Sequence, residues 1–155
     1  MNVKNEIKVL AVYDRDEKEN IMRKCDHAFS TIFFGQKSWI DTFEKIDQKA
    51  EFYCAYKFDE KAGKMPLGYI AFYVNDCEKK IAYITMISIL GNAQRQHIGS
   101  KLMKLCLERS KECGMKAVRL EVKKENRNAI LFYEYWGYEI ECEKSYESVY
   151  MIKEI

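Results

Sequence analysis

The chain has 155 residues, of which 48% are apolar, 14% aromatic and 32% charged, with seven Gly and one Pro. A chain of this length buries about two-thirds of its unfolded surface, so we expect residues 1–155 to form one domain without disulfides or a metal, and the composition excludes a disordered, collagen-like or linker protein. Twenty-six Lys and Arg against 24 Asp and Glu leave a formal charge of +2, which excludes general attraction to nucleic acid or to an anionic membrane.

The cysteines and the apolar runs bear on metal binding and on location. The six cysteines show no C-x-x-C pair and no Cys/His ligand spacing, and only two His are present, so we expect no metal site. No signal-peptide pattern stands at the start, and no apolar run approaches the ~20 residues needed to cross a bilayer. We therefore expect a cytoplasmic protein with reduced thiols, without nucleic-acid or membrane partners.

The front of the chain predicts one strand and two helices. Glu6 to Tyr13 has strand character, and Asp14 to Ala28 predicts an amphipathic helix opened by acidic residues. Ser38 to Lys49 predicts a second helix with Ser38 as its N-cap. Between and inside these helices lies an aromatic-rich set that either stacks on a sugar or ring of a ligand or closes the core, of which we expect the second: Phe29, Ile32, Phe33, Phe34 and Trp39.

Three strands follow. Two runs of strand character, 51–58 and 67–74, flank Asp59 to Pro66, which indicates a hairpin loop rather than a domain boundary. The run 80–90 is almost entirely β-branched and aromatic, which is typical of a central strand buried on both faces.

The second half alternates helices and strands. From Ile98 the apolar residues recur at helical spacing, and Gly114 predicts the helix end. The remaining predicted elements are a strand at 118–122, a helix from 128 to 135 ended by Gly137, and strands at 138–142 and 148–152. The order β-α-α-β-β-β-α-β-α-β-β predicts a three-layer α/β fold on a mixed sheet.

The loop between the central strand and the following helix is a candidate anion site. Unpaired N–H groups at a helix N-terminus, aligned with the helix dipole, favour a phosphate. The loop is not a Walker A loop, because Ser100-Lys101 follows Gly99 where that motif has Lys followed by Ser or Thr. The dinucleotide-binding motif G-x-G-x-x-G is also absent from the sequence. The alternative is an ordinary turn in which Gly99 permits close packing. The loop residues are Gln94, Arg95, Gln96, His97, Ile98, Gly99 and Ser100.

A second motif lies downstream at a fitting distance and consists of strand 120–123, Asn126, Ala129-Ile130, Tyr133 and Gly137-Tyr138. Together the two motifs resemble the GNAT N-acetyltransferase superfamily, over about residues 67 to 140. The resemblance implies a three-layer α/β/α fold whose mixed central sheet splays to form an acetyl-CoA cleft. One position departs from the family, because His97 stands where the family has its first loop glycine, and its Cβ restricts the backbone.

The resemblance also implies an activity, which is acetyl transfer from acetyl-CoA, as cosubstrate, to a primary amine by direct attack. Tyr133 matches the tyrosine that protonates the leaving thiolate, and the backbone of the central strand matches the edge that binds pantetheine. The implied cosubstrate-binding residues are Ile87, Ser88, Ile89, the seven loop residues, Asn126, Ala129, Phe132 and Tyr133. A cationic set beside the second motif favours the 3′-phosphate of CoA, or is only a solvated loop: Lys123, Lys124 and Arg127.

The acceptor side is less defined by the motifs. The general base is unassigned, and either a carboxylate acting through water or no base at all fits the chemistry. The substrate-site candidates are Tyr73, Asn75, Asp76, Tyr83 and Thr85. The first interpretation of the acceptor is a small-molecule amine, with an amino sugar suggested by similarity of Gly68 to Asp76 to small bacterial members. A protein N-terminus or lysine is the alternative, and a non-catalytic CoA-binding module is the alternative from another class. We expect a monomer or a homodimer.

Overall fold

The computed structural model describes residues 6–26, 37–93 and 96–155, without the side chains of residues 37 and 38. These ranges contain seven strands and four α-helices, in the predicted order. They are β1 (Ile7–Ala11), α1 (Arg15–Cys25), α2 (Lys37–Lys49), β2 (Glu51–Asp59), β3 (Gly63–Tyr73), β4 (Ile81–Ile89), α3 (Ile98–Glu112), β5 (Ala117–Lys123), α4 (Arg127–Tyr135), β6 (Glu139–Glu143) and β7 (Ser148–Glu154). None of the helices in these ranges is long and apolar enough to cross a membrane.

The strands form one mixed sheet with the order β1-β2-β3-β4-β5-β7-β6. The pairs β1–β2, β2–β3, β5–β7 and β6–β7 are antiparallel, whereas β4 and β5 are parallel. A parallel pair needs a crossover connection, and α3 supplies it. The predicted α/β class, the mixed sheet and the central position of β4 are confirmed.

Contacts within the chain divide it into two compact units. The first comprises Met1–Phe72 with Met86–Cys106, and the second comprises Tyr73–Thr85 with Leu107–Ile155. Each unit thus combines sequence segments that lie far apart in the chain, because β4 and α3 contribute residues to both.

In the first unit, β3 is buried on both faces from Leu67 to Phe72. On one face, Tyr69 donates a hydrogen bond to Asp26 at the end of α1. On the other, a Cβ added to Gly68 would lie 3.2 Å from Cγ2 of Ile98, the first residue of α3. Helices therefore cover both faces of β3, which is the layering that the element order predicts. Trp39 is also buried, as expected, and stacks on Phe43 with ring centroids 5.1 Å apart.

Both glycines predicted to end helices do so in the left-handed conformation, with φ of +80° at Gly114 and +91° at Gly137. Met115 N–H donates to the Ser110 carbonyl after α3, and Tyr138 N–H donates to the Tyr133 carbonyl after α4. These bonds satisfy carbonyl groups that have no partner within the helix. The bond from Tyr138 also fixes the backbone of Tyr133.

Two local predictions are wrong at their boundaries. The first helix ends at Cys25 rather than Ala28, although Asp14 caps its start by accepting a hydrogen bond from Glu17 N–H at 2.9 Å. Ser38 is not an N-cap, because α2 begins at Lys37. Local side-chain signals fix such ends only to within one or two residues. Residues 27–36, which include Ala28, Phe29, Ile32, Phe33 and Phe34, lie outside the described residues.

Two predictions about strands also need correction. Pro66 belongs to β3 and not to the hairpin loop. In β3 it pairs with Tyr56 of β2, beside a register shift at Ala55/Tyr56. A bulge interrupts the hydrogen-bond ladder, so it tolerates a residue that lacks an N–H group. In β4 only Ala82 and Ile84 are buried, and the other residues of the strand are half-buried. The prediction of full burial on both faces is therefore wrong for most of β4.

Candidate active site

In the first unit, the loop before α3 has the features of an anion site. The His97 carbonyl accepts the N–H of Lys101 at 3.1 Å, which places His97 at the cap of the helix. The N–H groups of Ile98, Gly99 and Ser100 belong to the first turn, where a helix supplies no acceptor. No acidic residue lies in this turn, so nothing there repels an anion. The predicted loop residues Gln94 and Arg95 lie outside the described residues.

His97 adopts a left-handed conformation with φ of +58°. Side chains with a Cβ adopt this conformation at a cost, whereas glycine does not. The departure noted in the sequence therefore falls at a position whose backbone favours glycine.

We expect His97→Gly to stabilise the protein slightly, by up to about 1 kcal/mol, because relief of backbone strain exceeds the entropy that glycine adds to the unfolded chain. Lys104→Gly is the matched control, since Lys104 is exposed in the middle of α3. There glycine should cost about 1 kcal/mol. Thermal unfolding of both variants checks the prediction, and equal losses of stability would show that His97 is not strained.

A cleft of about 440 Å³ opens in the first unit beside this loop. Its walls include Leu67, Leu90, Asn92 and Gln96, together with the side chains of Lys24 and Lys57. Only Gln96 belongs to the predicted site. The two lysines give this side of the loop a positive charge, which no local sequence signal indicated because they come from α1 and β2.

The predicted strand edge, Ile87, Ser88 and Ile89, lies at the end of β4. The ladder with β5 covers only Ile81–Ile84 of β4, paired with Ala117–Leu120, whereas β4 itself continues to Ile89. Beyond Ile84 the strand is therefore not paired with β5 in this ladder. Ile89 and Ile98 both approach Gly68, since a Cβ there would lie 2.9 Å and 3.2 Å from their side chains.

In the second unit, Asn126 caps α4. Its Oδ1 accepts the N–H of Ala129 at 3.2 Å, which is the usual role of Asn at a helix N-terminus. This hydrogen bond brings Asn126 and Ala129, two of the predicted site residues, together. The side-chain NH₂ group of Asn126 is not used in the cap and is the group with which this residue donates hydrogen bonds. Asn126 is exposed and Ala129 is half-buried. Among the cationic neighbours, Lys124 is paired with Glu143 at 2.6 Å.

Tyr133 lies on α4, where its ring packs edge to face against Phe132 and Tyr138, with centroids 5.6 Å and 5.8 Å apart. The residue is 8% exposed. No hydrogen bond from a described residue contributes to the pKa of its hydroxyl. Burial raises the pKa of Tyr133 to about 12, above its usual value near 10. The phenol therefore keeps its proton at neutral pH and is free to donate it to a ligand.

The residues predicted for the acceptor site have different local environments within the second unit. Tyr73 and Thr85 share a side-chain hydrogen bond, and burial raises the pKa of Tyr73. Asn75 is exposed in the turn before β4. Asp76 is engaged in the same turn, because its Oδ1 accepts the N–H groups of Glu78 and Lys79 at 3.2 Å and 3.0 Å.

Tyr83 lies in a charged cluster that the sequence did not reveal. Burial raises its pKa, and the nearby Glu121 and Tyr150 raise it further. Glu121 accepts a hydrogen bond from Lys144 at 2.6 Å. Arg119 pairs with Glu141 at 2.8 Å and stacks over the Tyr150 ring at 5.6 Å. The cluster comprises Tyr83, Arg119, Glu121, Glu141, Lys144 and Tyr150.

Glu121 is the functional candidate that sequence reasoning missed. It is the first residue of β5 beyond the ladder with β4, which ends at Leu120. Its neighbours Leu120 and Val122 are buried, so its side chain points to the opposite face of the strand. In the sequence Glu121 stands between the apolar Leu120 and Val122, but the end of the ladder depends on pairing between strands, which the sequence does not show.

The Acetyltransferase (GNAT) family model matches residues 16–138. An uncharacterized N-acetyltransferase of Methanocaldococcus jannaschii is 28% identical over 134 residues, which cover 81% of this chain and 57% of that protein. The chain thus spans little more than half the length of this curated relative.

Two solved structures show the same fold. The PaiA N-acetyltransferase of Thermoplasma acidophilum, in complex with coenzyme A, superposes with a TM-score of 0.73 at 16% identity, covering 97% of this chain and 99% of that one. A ribosomal-protein-alanine N-acetyltransferase of Escherichia coli has a TM-score of 0.72 at 17% identity, covering 97% and 94%. Because the family model matches most of the chain, including both predicted motifs, this protein belongs to the GNAT acetyltransferase family.

Proposed function

We propose that this chain acts as one cytoplasmic catalytic domain that transfers the acetyl group of acetyl-CoA to the primary amine of a small molecule. The observation that carries the proposal is the Tyr133 phenol, which belongs to a residue 8% exposed and whose pKa burial raises to about 12, so that it is protonated at neutral pH. A protonated phenol is able to donate a hydrogen bond or a proton to a ligand.

The cosubstrate-binding residues that we assign are those that the two sequence motifs imply. The N–H groups of the first turn of α3 bind the pyrophosphate, as helix N-termini bind anions. The peptide groups of Ile87, Ser88 and Ile89 bind the pantetheine arm as an added strand. The end of the β4–β5 ladder at Ile84 supports this assignment. Asn126, Ala129 and Phe132 contact the thioester end beside Tyr133.

The reaction is the attack of a neutral amine on the thioester carbonyl. The nitrogen forms a bond to the carbonyl carbon, and a backbone N–H of the β4 edge stabilises the negative oxygen. Collapse of this intermediate breaks the C–S bond, Tyr133 donates its proton to the departing thiolate, and the proton that the nitrogen loses on becoming an amide restores the phenol. The acceptor's ammonium proton needs a base, and the Glu121 carboxylate is the group that we assign to it. The products are an amide and free CoA.

Two classes of amine are candidates for the acceptor. A small amine, such as an amino sugar, is the first candidate, and a protein N-terminus or lysine is the second. The Escherichia coli structure is named for a ribosomal-protein alanine, which keeps the second candidate open. The test is thiol release from acetyl-CoA against a panel of amines, amino sugars and peptides. Turnover with none of these acceptors would contradict the proposal.

Gly99→Val should abolish most of the thermal stabilisation that CoA gives. A ligand that binds only the folded state at a hundredfold excess over its Kd adds about 2.7 kcal/mol, and a β-branched side chain in the first turn blocks the approach of a phosphate to the N–H groups. Lys104→Val, on the exposed face of α3, is the control and should keep the shift. An unchanged CoA-induced shift in folded Gly99→Val would exclude this loop as the phosphate site.

A further inference from the structure

A buried polar cluster in the first unit lies outside the proposed chemistry. Asp26 caps the end of α1, where its N–H donates to the Met22 carbonyl at 2.8 Å, and the residue is 8% exposed. Tyr69, on β3, is fully buried and donates its hydroxyl hydrogen to Asp26 Oδ2 at 2.5 Å. Tyr69 is held in place by Phe52, whose ring stacks on it at 5.1 Å.

Ser88 joins this cluster to β4. Its Oγ donates to the Cys25 carbonyl at 3.2 Å, and its hydroxyl also interacts with the Asp26 side chain in a way that lowers the pKa of that carboxyl. Ser88 is a polar residue within an otherwise apolar run at the end of β4. The end of α1 is therefore bonded to the middle residue of the proposed pantetheine edge.

Burial, the larger effect, and hydrogen bonding act on the pKa of Asp26 in opposite directions. The hydrogen bonds from Tyr69 and Ser88 lower this pKa, because they stabilise the carboxylate. Burial raises the pKa of Asp26, and it also raises the pKa of the adjacent Cys25 thiol to about 12.

Ser88 is also fixed from the β3 side. A Cβ added to Gly68 would lie 2.9 Å from the Ser88 carbonyl oxygen, which means that only glycine permits this close approach. The carbonyl is held against β3, and the side chain is held by the end of α1. The peptide groups on either side of Ser88 therefore have little freedom to shift.

We propose that Asp26 is a positioning residue, which fixes through Ser88 the peptide groups of β4 that bind the thioester arm of acetyl-CoA. This inference rests on the proposed function. Asp26 itself makes no contact with the reacting atoms. It acts by keeping the strand edge in the geometry that binding and attack require, where small displacements are costly.

The test compares the acetyl-CoA Kd of four variants, measured by calorimetry well below each melting temperature. Asp26→Ala and Ser88→Ala each remove the link and should weaken binding at least about fivefold, the effect of one buried hydrogen bond. Asp26→Asn keeps one acceptor for Tyr69 and one donor for Ser88, so it should stay within about twofold of wild type. Ile21→Ala, a buried apolar change in the same helix, lowers stability without touching the cluster and should also retain affinity.

Each outcome decides the inference. Wild-type affinity in folded Asp26→Ala or in Ser88→Ala would overturn it. An equal loss in Ile21→Ala would assign the effect to general stability, and an equal loss in Asp26→Asn would show that the negative charge of Asp26, and not its hydrogen bonds, fixes the strand edge. If wild type binds acetyl-CoA but acetylates no amine, the transfer proposal fails while the Kd values still decide the role of Asp26. If wild type does not bind acetyl-CoA, both fail.

Discussion

Tyr133→Phe should lower kcat at least about tenfold, because general-acid groups contribute ~10²–10⁴-fold and water replaces the lost donor only in part. The KM for acetyl-CoA should change little, since the ring keeps its packing against Phe132 and Tyr138. The free energy of unfolding should also stay nearly constant. No hydrogen bond from a described residue contributes to the raised pKa of this hydroxyl, so we expect its removal to leave no buried group unpaired.

Steady-state kinetics with a good acceptor checks this expectation. Tyr135→Phe is the matched control, because Tyr135 lies on the same helix but is 82% exposed, and it should retain wild-type turnover. Full kcat in a folded Tyr133→Phe variant would remove Tyr133 from the mechanism. Binding of CoA by wild type without turnover would instead favour a non-catalytic CoA-binding module.

The order of elements was predictable because each rests on a local pattern. The helical spacing from Ile98 and the positive φ of Gly114 concern residues that are close in sequence, and both predictions are confirmed. Pro66 was misplaced because its position in β3 depends on a bulge opposite Tyr56. Such a bulge is set by pairing between strands, which a single segment does not encode.

The candidate site shows the same division. Asn126 and Tyr133 were found because their motif has fixed spacing within one strand–loop–helix segment, although their roles stay predictions. Asp26 and Glu121 were missed because their significance depends on partners distant in the chain. Asp26 meets Tyr69 and Ser88, and Glu121 meets Lys144. A lone carboxylate in a sequence looks like a solvated surface group, and only its burial or its partners distinguish it.

Glu121→Gln should lower kcat by about 10²-fold or more if its carboxylate accepts the ammonium proton, since a carboxamide of the same size accepts no proton. Two controls separate this effect from loss of the ion pair. Glu141→Gln removes the neighbouring pair with Arg119, at similar side-chain exposure, 26% against 30%. Lys144→Met removes the partner of Glu121 and leaves the carboxylate in place.

Both controls should keep kcat within a few-fold of wild type, because half-exposed ion pairs contribute only about 0–1 kcal/mol to stability. Lys144→Met should also lower the KM for the acceptor, since Lys144 no longer competes with the acceptor's ammonium group for Glu121. The acceptor KM and kcat, measured at saturating acetyl-CoA, decide between the assignments. Equal turnover in Glu121→Gln and Glu141→Gln would show that Glu121 is not the base and that the acceptor amine reacts without one from this cluster.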